Sequence, residues 1–196
     1  MEFIHPKESS LIKLKELGIN DSKSVSEKKR VEIINKLGLV FDYSKSNQTL
    51  LIKNDNYEIK VSISQLDNNI IDSINILNAT LKGMEDSFKI LYEKNINPNS
   101  IWLIDGNKAP DYSSFGLSKE CIIKGDSKSV IIGLASIIAK QFRDYLMKEI
   151  FHKEFPQYDF NKNVGYGSKS HINAIKTHGR CQIHRQSFKL AQLNEK

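Results

Sequence analysis

The sequence predicts an α/β fold, and three features carry that prediction. Two short apolar runs, Ser100-Ile-Trp-Leu-Ile104 and Glu120-Cys-Ile-Ile123, read as strands, and each delivers an acid, Asp105 or Asp126, just beyond its end. From about Gln65 to Lys94, Ile70, Ile74, Leu77, Leu81, Met84, Phe88 and Leu91 recur at spacings of three and four, as on one stripe of a long helix. Residues 39–64 hold three more strand-like runs. The order β, long α, β, β, long α describes a sheet packed by helices. At 196 residues the chain is long enough for one well-cored domain and short for two.

Taken in order, Leu11, Leu14 and Leu17 have partial helical spacing, with Gly18 as the stop. Asp21-Ser-Lys-Ser-Val-Ser-Glu-Lys-Lys-Arg30 reads as a turn and a helix start, capped by Ser26 or Ser24, with Val31, Ile34 and Leu37 on one face. Leu39-Val-Phe, Thr49-Leu-Leu-Ile and Tyr57-Glu-Ile-Lys-Val-Ser-Ile are the strands, the last alternating as a half-buried strand should. Asn97-Pro98 ends the long helix. After the second short strand, a helix of about 20 residues is expected from Gly125-Asp126 through Ile150. Phe155-Pro-Gln-Tyr158 marks its exit, Gly165-Tyr-Gly167 a tight turn, and Lys169 to Thr177 a last helix.

Composition narrows the class. With 39% hydrophobic and 27% charged residues the chain has ordinary globular composition. No apolar run approaches the roughly 20 residues of a membrane span. Met1-Glu-Phe-Ile-His-Pro has no basic region leading into an apolar one, so no secretory signal is visible. Cys121 and Cys181 form neither a CxxC pair nor a disulfide framework, and the expectation is a reduced, cytoplasmic protein. Residues 119–196 hold 14 Lys/Arg against 7 Asp/Glu, which places all the excess positive charge in the last two fifths of the chain. That suits either a solvated lysine-rich surface or a phosphate-backbone footprint.

Asp105 and Asp126 are the candidate catalytic and metal-binding pair, because ligands gather at the carboxyl ends of strands in α/β sheets. Acids so placed suit Mg²⁺, a hard cation that takes oxygen ligands. The alternative is that Asp105-Gly is a turn and Asp126 a helix cap. Lys124, Lys128, Lys140 and Arg143 lie within a few turns of the second acid, where cations would neutralise a phosphodiester transition state. Tyr166 stands on a glycine-permitted bend, as a turn residue or as a ring that contacts a ribose 2′-hydroxyl. His171, His178, Cys181 and His184 superficially resemble a zinc-ligand string, but the second half of such a motif is absent and helix packing is preferred for them.

Together these segments resemble the family of bacterial type 2 ribonucleases H, ribonuclease HII, over almost the whole chain. The resemblance is carried by Asp21-Ser-Lys23 with Ser26-Glu-Lys-Lys-Arg30, Asn75-Ile-Leu-Asn-Ala-Thr-Leu81, Leu103-Ile-Asp-Gly-Asn107 and Lys124-Gly-Asp126 with Ala135-Ser-Ile-Ile-Ala-Lys140 and Arg143-Asp144. Gly165-Tyr-Gly167, His171 and Ile183-His-Arg-Gln-Ser-Phe188 complete it. It implies a ribonuclease H-like mixed sheet flanked by helices, forming a single domain over 1–196 with a basic helical part at 145–196. It also implies a monomer that cleaves the RNA strand of RNA–DNA hybrids, including ribonucleotides embedded in DNA, with two Mg²⁺ or Mn²⁺ ions. Asp105 and Asp126 take the places of the third and fourth family carboxylates, and Tyr166 that of a ribose-sensing tyrosine. Lys23 and Lys140 match motif lysines near the phosphates.

One family feature has no counterpart in these 196 residues: a strand followed by Asp-Glu-x-Gly-Arg-Gly, which carries the first two carboxylates. The expectation is therefore an N-terminally incomplete domain lacking a central strand. The alternative function is a catalytically inactive RNA–DNA hybrid-binding remnant or fragment, because two of the four family carboxylates are absent from these residues. Residues 38–56 read as hairpin-like sequence beyond the usual family connection.

Overall fold

In the computed structural model, residues 2–4, 8–19, 25–53, 55, 57–92, 100–111, 115–116 and 118–190 are described. In chain order they form β1 (Glu2–Ile4), α1 (Glu8–Glu16), α2 (Glu27–Lys36), β2 (Asn47–Lys53), β3 (Glu58–Ser64), α3 (Asn68–Tyr92), β4 (Ile101–Asp105) and β5 (Ser118–Ile122). Then come α4 (Gly125–Lys128), α5 (Val130–Tyr145), a π-helical turn Leu146–Phe151, α6 (His152–Glu154), a 3₁₀ turn Pro156–Tyr158, α7 (Phe160–Asn163) and α8 (Lys169–His178). Two compact units result: Met1–Gln65 with Thr80–Gln141, and Leu66–Ala79 with Phe142–Lys196. Among the described residues no helix is long and apolar enough to cross a membrane.

In the first unit, Ser26 caps α2 by accepting the Lys29 N–H at 3.3 Å. Gly38, at φ +66°, closes the same helix: its N–H donates to Asn35 O, and that of Leu39 donates to Ile34 O. This closure overturns the expected strand Leu39-Val-Phe. The Leu39 N–H serves the helix end, its side chain is buried in the core, and Val40 is 80% exposed. The buried face of α2 is Ile33, Ile34 and Leu37, with Val31 exposed. In β3 the expected alternation holds, with Ile59 and Val61 buried against Ile52, Leu14, Leu134 and Ile137.

The α/β class holds, with the strands in small antiparallel and parallel sheets among helices. Among the described residues the strands make two sheets: an antiparallel one ordered β1-β3-β2 and a parallel pair β4-β5. The reason lies in the pairing. β3 uses both edges, on β1 and β2, and β4 runs in register with β5 from Ile101↔Ser118 to Asp105↔Ile122. Behind β4 a small core forms around Phe88, whose ring meets those of Trp102 and Phe115 edge-on.

Both long helices are interrupted. Within α3, Asn75 is non-helical (φ 66°, ψ 165°), and its Oδ1 accepts the Asn78 N–H at 3.1 Å, capping the following segment. The apolar stripe is therefore not continuous: Phe88 and Leu91 are buried, but Leu77 is 48% exposed. The expected helix from Gly125 to Ile150 breaks at Ser129, which is extended (φ −122°, ψ 122°). There Ser129 O accepts from Gly133 and Ser129 Oγ from the Ile132 N–H, so a serine within the apolar run starts a new helix, α5.

The second unit is built on Tyr158, Phe160, Met147 and Ile175. The Tyr158 hydroxyl donates to Gly179 O at 2.8 Å, and Asn163 Nδ2 donates to Tyr158 O at 2.6 Å. The segment after α8 is strapped down by side chains of α3. Asn68 Nδ2 donates to Gln182 O and His184 O, while Asp72 accepts from Gln186 N–H and Ser187 Oγ. Hydrogen bonding from Ser187 holds the Asp72 carboxyl below its ordinary range. Arg180 donates to Arg185 O and Phe188 O, and the Arg185 guanidinium lies 4.5 Å from the Phe188 ring centroid.

Candidate active site

Parallel pairing of β4 and β5 brings their carboxyl ends side by side, with Asp105 opposite Ile122 and the Gly106 N–H donating to Ile122 O at 3.0 Å. From β5 the chain turns through Lys124, in the left-handed region (φ 56°, ψ 43°), straight into α4. That turn aims the Gly125 N–H back at Asp105 Oδ1, 2.8 Å away. A charge-assisted bond of this kind is short and orients the carboxylate. Gly125 matters for space rather than for conformation: a Cβ there would lie 2.7 Å from Ile132 Cδ1 and 3.3 Å from Asp105 Oδ1.

Asp126, the next residue, is only 7% exposed, whereas Asp105 is exposed. The two acids named from the sequence are thus brought together, with Asp105 bonded to the amide immediately before Asp126. Lys124 and Lys128 are exposed on either side of Asp126, and Lys140 is half-buried on α5. Lys23 lies outside the described residues.

These donors can be weighed against a divalent cation. Two carboxylates suit one hydrated Mg²⁺ or Mn²⁺, which accepts oxygen ligands and keeps several waters. Two ions about 3.5–4 Å apart need more bridging oxygens than two aspartates supply. Among the described residues, no group of three or more His, Cys, Asp or Glu is placed to hold a metal ion.

In the second unit, Tyr166 is 60% exposed while its backbone is tightly held. Gly165 (φ +76°) donates to Asn163 Oδ1, Tyr166 N–H donates to Asn163 O, and Tyr166 O accepts from Ser168 N–H and faces His171 Nδ1 at 2.9 Å. The Arg143 guanidinium lies 5.4 Å from the Tyr166 ring centroid, so the structure couples Arg143 with the tyrosine.

The histidine string is organised differently from a zinc site. His184 Nδ1 meets Cys181 Sγ at 3.0 Å, and its Nε2 meets His171 Nε2 at 3.0 Å. Cysteine and histidine occupy opposite nitrogens of one ring, so they do not converge on a single ion. Burial raises the Cys181 thiol pKa, and burial together with His171 lowers His184 to about 4. The pair is therefore a neutral thiol and imidazole rather than an activated nucleophile.

Sequence reasoning missed the Gly125 amide, the Arg143–Tyr166 pairing and the His171–His184 link. The one available signal was the glycine between Lys124 and Asp126, which marks a close approach of backbone.

The family model described as Ribonuclease HII matches residues 3–191. Among curated relatives, the Ribonuclease HII of Pelodictyon phaeoclathratiforme is 43% identical over 135 residues, 69% of this chain and 62% of the relative. The Ribonuclease HII of Caldanaerobacter subterraneus subsp. tengcongensis is 41% identical over 87% of this chain and 60% of the relative. The Ribonuclease HII of Endomicrobium trichonymphae is 40% identical over 94% of this chain and 74% of the relative. The chain thus spans about three fifths of the length of the first two. The family-model match over residues 3–191, with relatives about 40% identical over most of the chain, shows the lineage: this chain belongs to the ribonuclease HII family.

Proposed function

We propose that the chain is an endoribonuclease that hydrolyses the RNA strand of RNA–DNA hybrids, including single ribonucleotides embedded in duplex DNA. The observation that carries this reading is the Asp105–Gly125–Asp126 arrangement at the joined ends of β4 and β5, within a chain matched by the family model over residues 3–191. Because that one model covers residues of both compact units, we read them as parts of one family domain, working as a monomer in the cytoplasm.

Asp105, aligned by the Gly125 amide, and Asp126 are the residues that would hold Mg²⁺ or Mn²⁺. A bound divalent ion supplies an activated water and charge neutralisation at the phosphate. The exposed Lys124 and Lys128 add positive charge beside the acids, and Lys140 and Lys23 are assigned to the phosphate backbone. Tyr166, with its ring presented and its backbone pinned, is the ribose reader. In the two-metal form of this reaction, the remaining carboxylates are those of the family's Asp-Glu-x-Gly-Arg-Gly segment.

A second reading is a hybrid-binding protein without cleavage. It is favoured by the acid pair having no third His, Cys, Asp or Glu positioned with it among the described residues. The purified 196-residue chain, incubated with a labelled hybrid in Mg²⁺ or Mn²⁺, separates the two. Metal-dependent nicking that falls by about 10²-fold or more in Asp126→Asn supports the nuclease. Salt-sensitive binding with no nicking supports the second reading.

A further inference from the structure

We infer that a hydrogen-bond chain from Cys181 through His184 and His171 to the Tyr166 carbonyl is a latch with one allowed proton arrangement. His171 is thereby a positioning residue for ribose discrimination. The inference rests on the reading of Tyr166 as the ribose contact.

The proton arrangement follows from the partners. A carbonyl oxygen only accepts, so His171 Nδ1, 2.9 Å from Tyr166 O, carries a proton. In a neutral ring, His171 Nε2 is then an acceptor, and the His184 Nε2–H facing it at 3.0 Å must donate. That leaves His184 Nδ1 as an acceptor, for the Cys181 N–H at 3.0 Å and for the thiol at 3.0 Å. Each assignment is forced by its neighbour, and one extra proton would set two N–H groups against each other.

At His184, burial and the neighbouring His171 resist that extra proton, and aromatic rings enclose the pair. His171 is buried, with the Phe160 ring edge-on to it at 5.4 Å. Tyr158 and Phe160 cover His184 at 4.8 and 5.8 Å, and Arg180 adds positive charge nearby. Glu154 lies on the Cys181 side, and His178 faces Tyr158 rather than the pair. Asn68 holds the His184 carbonyl. The far end of the chain is the Tyr166 backbone, whose ring points out with Arg143 beside it. A fixed backbone under an exposed aromatic ring is what a recognition residue needs.

Two measurements on the full chain test the latch. ¹⁵N imidazole spectra should show His171 as the Nδ1–H tautomer and His184 as the Nε2–H tautomer. The Tyr166 ring signals should stay fixed from neutral pH until His184 titrates. Either tautomer reversed overturns the proposal, as does a His171→Leu variant with unmoved Tyr166 signals. Binding is compared on a duplex with one embedded ribonucleotide and on the same duplex in DNA. His171→Leu should cut the preference about tenfold, and His171→Asn, which keeps a donor toward Tyr166 O, should recover much of it. If Tyr166→Phe lowers the preference and His171→Leu does not, the latch fails while the ribose reading stands. If Tyr166→Phe changes nothing, the ribose reading fails, and the spectra alone decide the latch.

Discussion

Asp105 Oδ1 accepts the amide proton of Gly125 at 2.8 Å, across 20 residues of sequence. This one bond ties the end of β4 to the start of α4 and sets the two acids at the same point of the fold. A side chain at Gly125 would crowd it: a Cβ there would lie 2.7 Å from Ile132 Cδ1 and 3.3 Å from Asp105 Oδ1.

Gly125→Ala tests that packing. Its Cβ collides with Ile132 Cδ1, so thermal unfolding should show a loss of about 1–3 kcal/mol, typical of overpacking. Ile132→Val removes the offending methyl. The double variant should recover part of that loss, a coupling that a double-mutant cycle reads directly. Additive losses would show that the methyl is not the obstacle.

Asn75 occupies a backbone region normally reserved for glycine (φ 66°, ψ 165°) and caps the following segment through Asn78 N–H. Asn75→Ala removes the cap and keeps the unfavourable φ, so it should destabilise by about 1–2 kcal/mol. Asn75→Gly relieves the backbone and loses little as a cap, so it should melt close to the parent. The order of the two melting temperatures is the check.

Acid should weaken the second unit in two steps. His184 is held to about 4, below its ordinary value, so between pH 6.5 and about 4 the unfolded chain binds a proton that the folded chain does not. Stability is therefore full above pH 6.5 and declines as pH falls toward 4. His184→Asn should flatten this window in melting curves taken across it. The Asp72 carboxyl is also lowered, and its contribution is present above the ordinary aspartate range and lost only below it. The two steps are separable by pH.

Asp72→Ala should release the strap after α8. Its carboxylate accepts from Gln186 N–H at 2.6 Å and from Ser187 Oγ at 2.5 Å. Hydrogen exchange at Gln186 should speed up in the variant, while the β2–β3 ladder amides keep their protection. Equal loss at both places would mean global destabilisation instead.

Much of this molecule was legible in the chain itself, wherever the signal is local. The Ser26 cap, the glycine stop at 18, the alternation of β3 and the two acids following apolar strands are written within a few residues of where they act. Capping, positive φ and side-chain periodicity are short-range effects. Tertiary structure alone decided the long-range pairing. It paired β1, β3 and β2 in one sheet and β4 with β5 in another, whereas the breaks at Asn75 and Ser129 and the closure at Leu39 rest on bonds of three to five residues that the apolar periodicity does not register. It joined Gly125 to Asp105 and His171 to His184, through bonds spanning 20 and 13 residues. Such contacts depend on where the chain returns in space, and that path is set by the summed burial of the cores rather than by any local pattern.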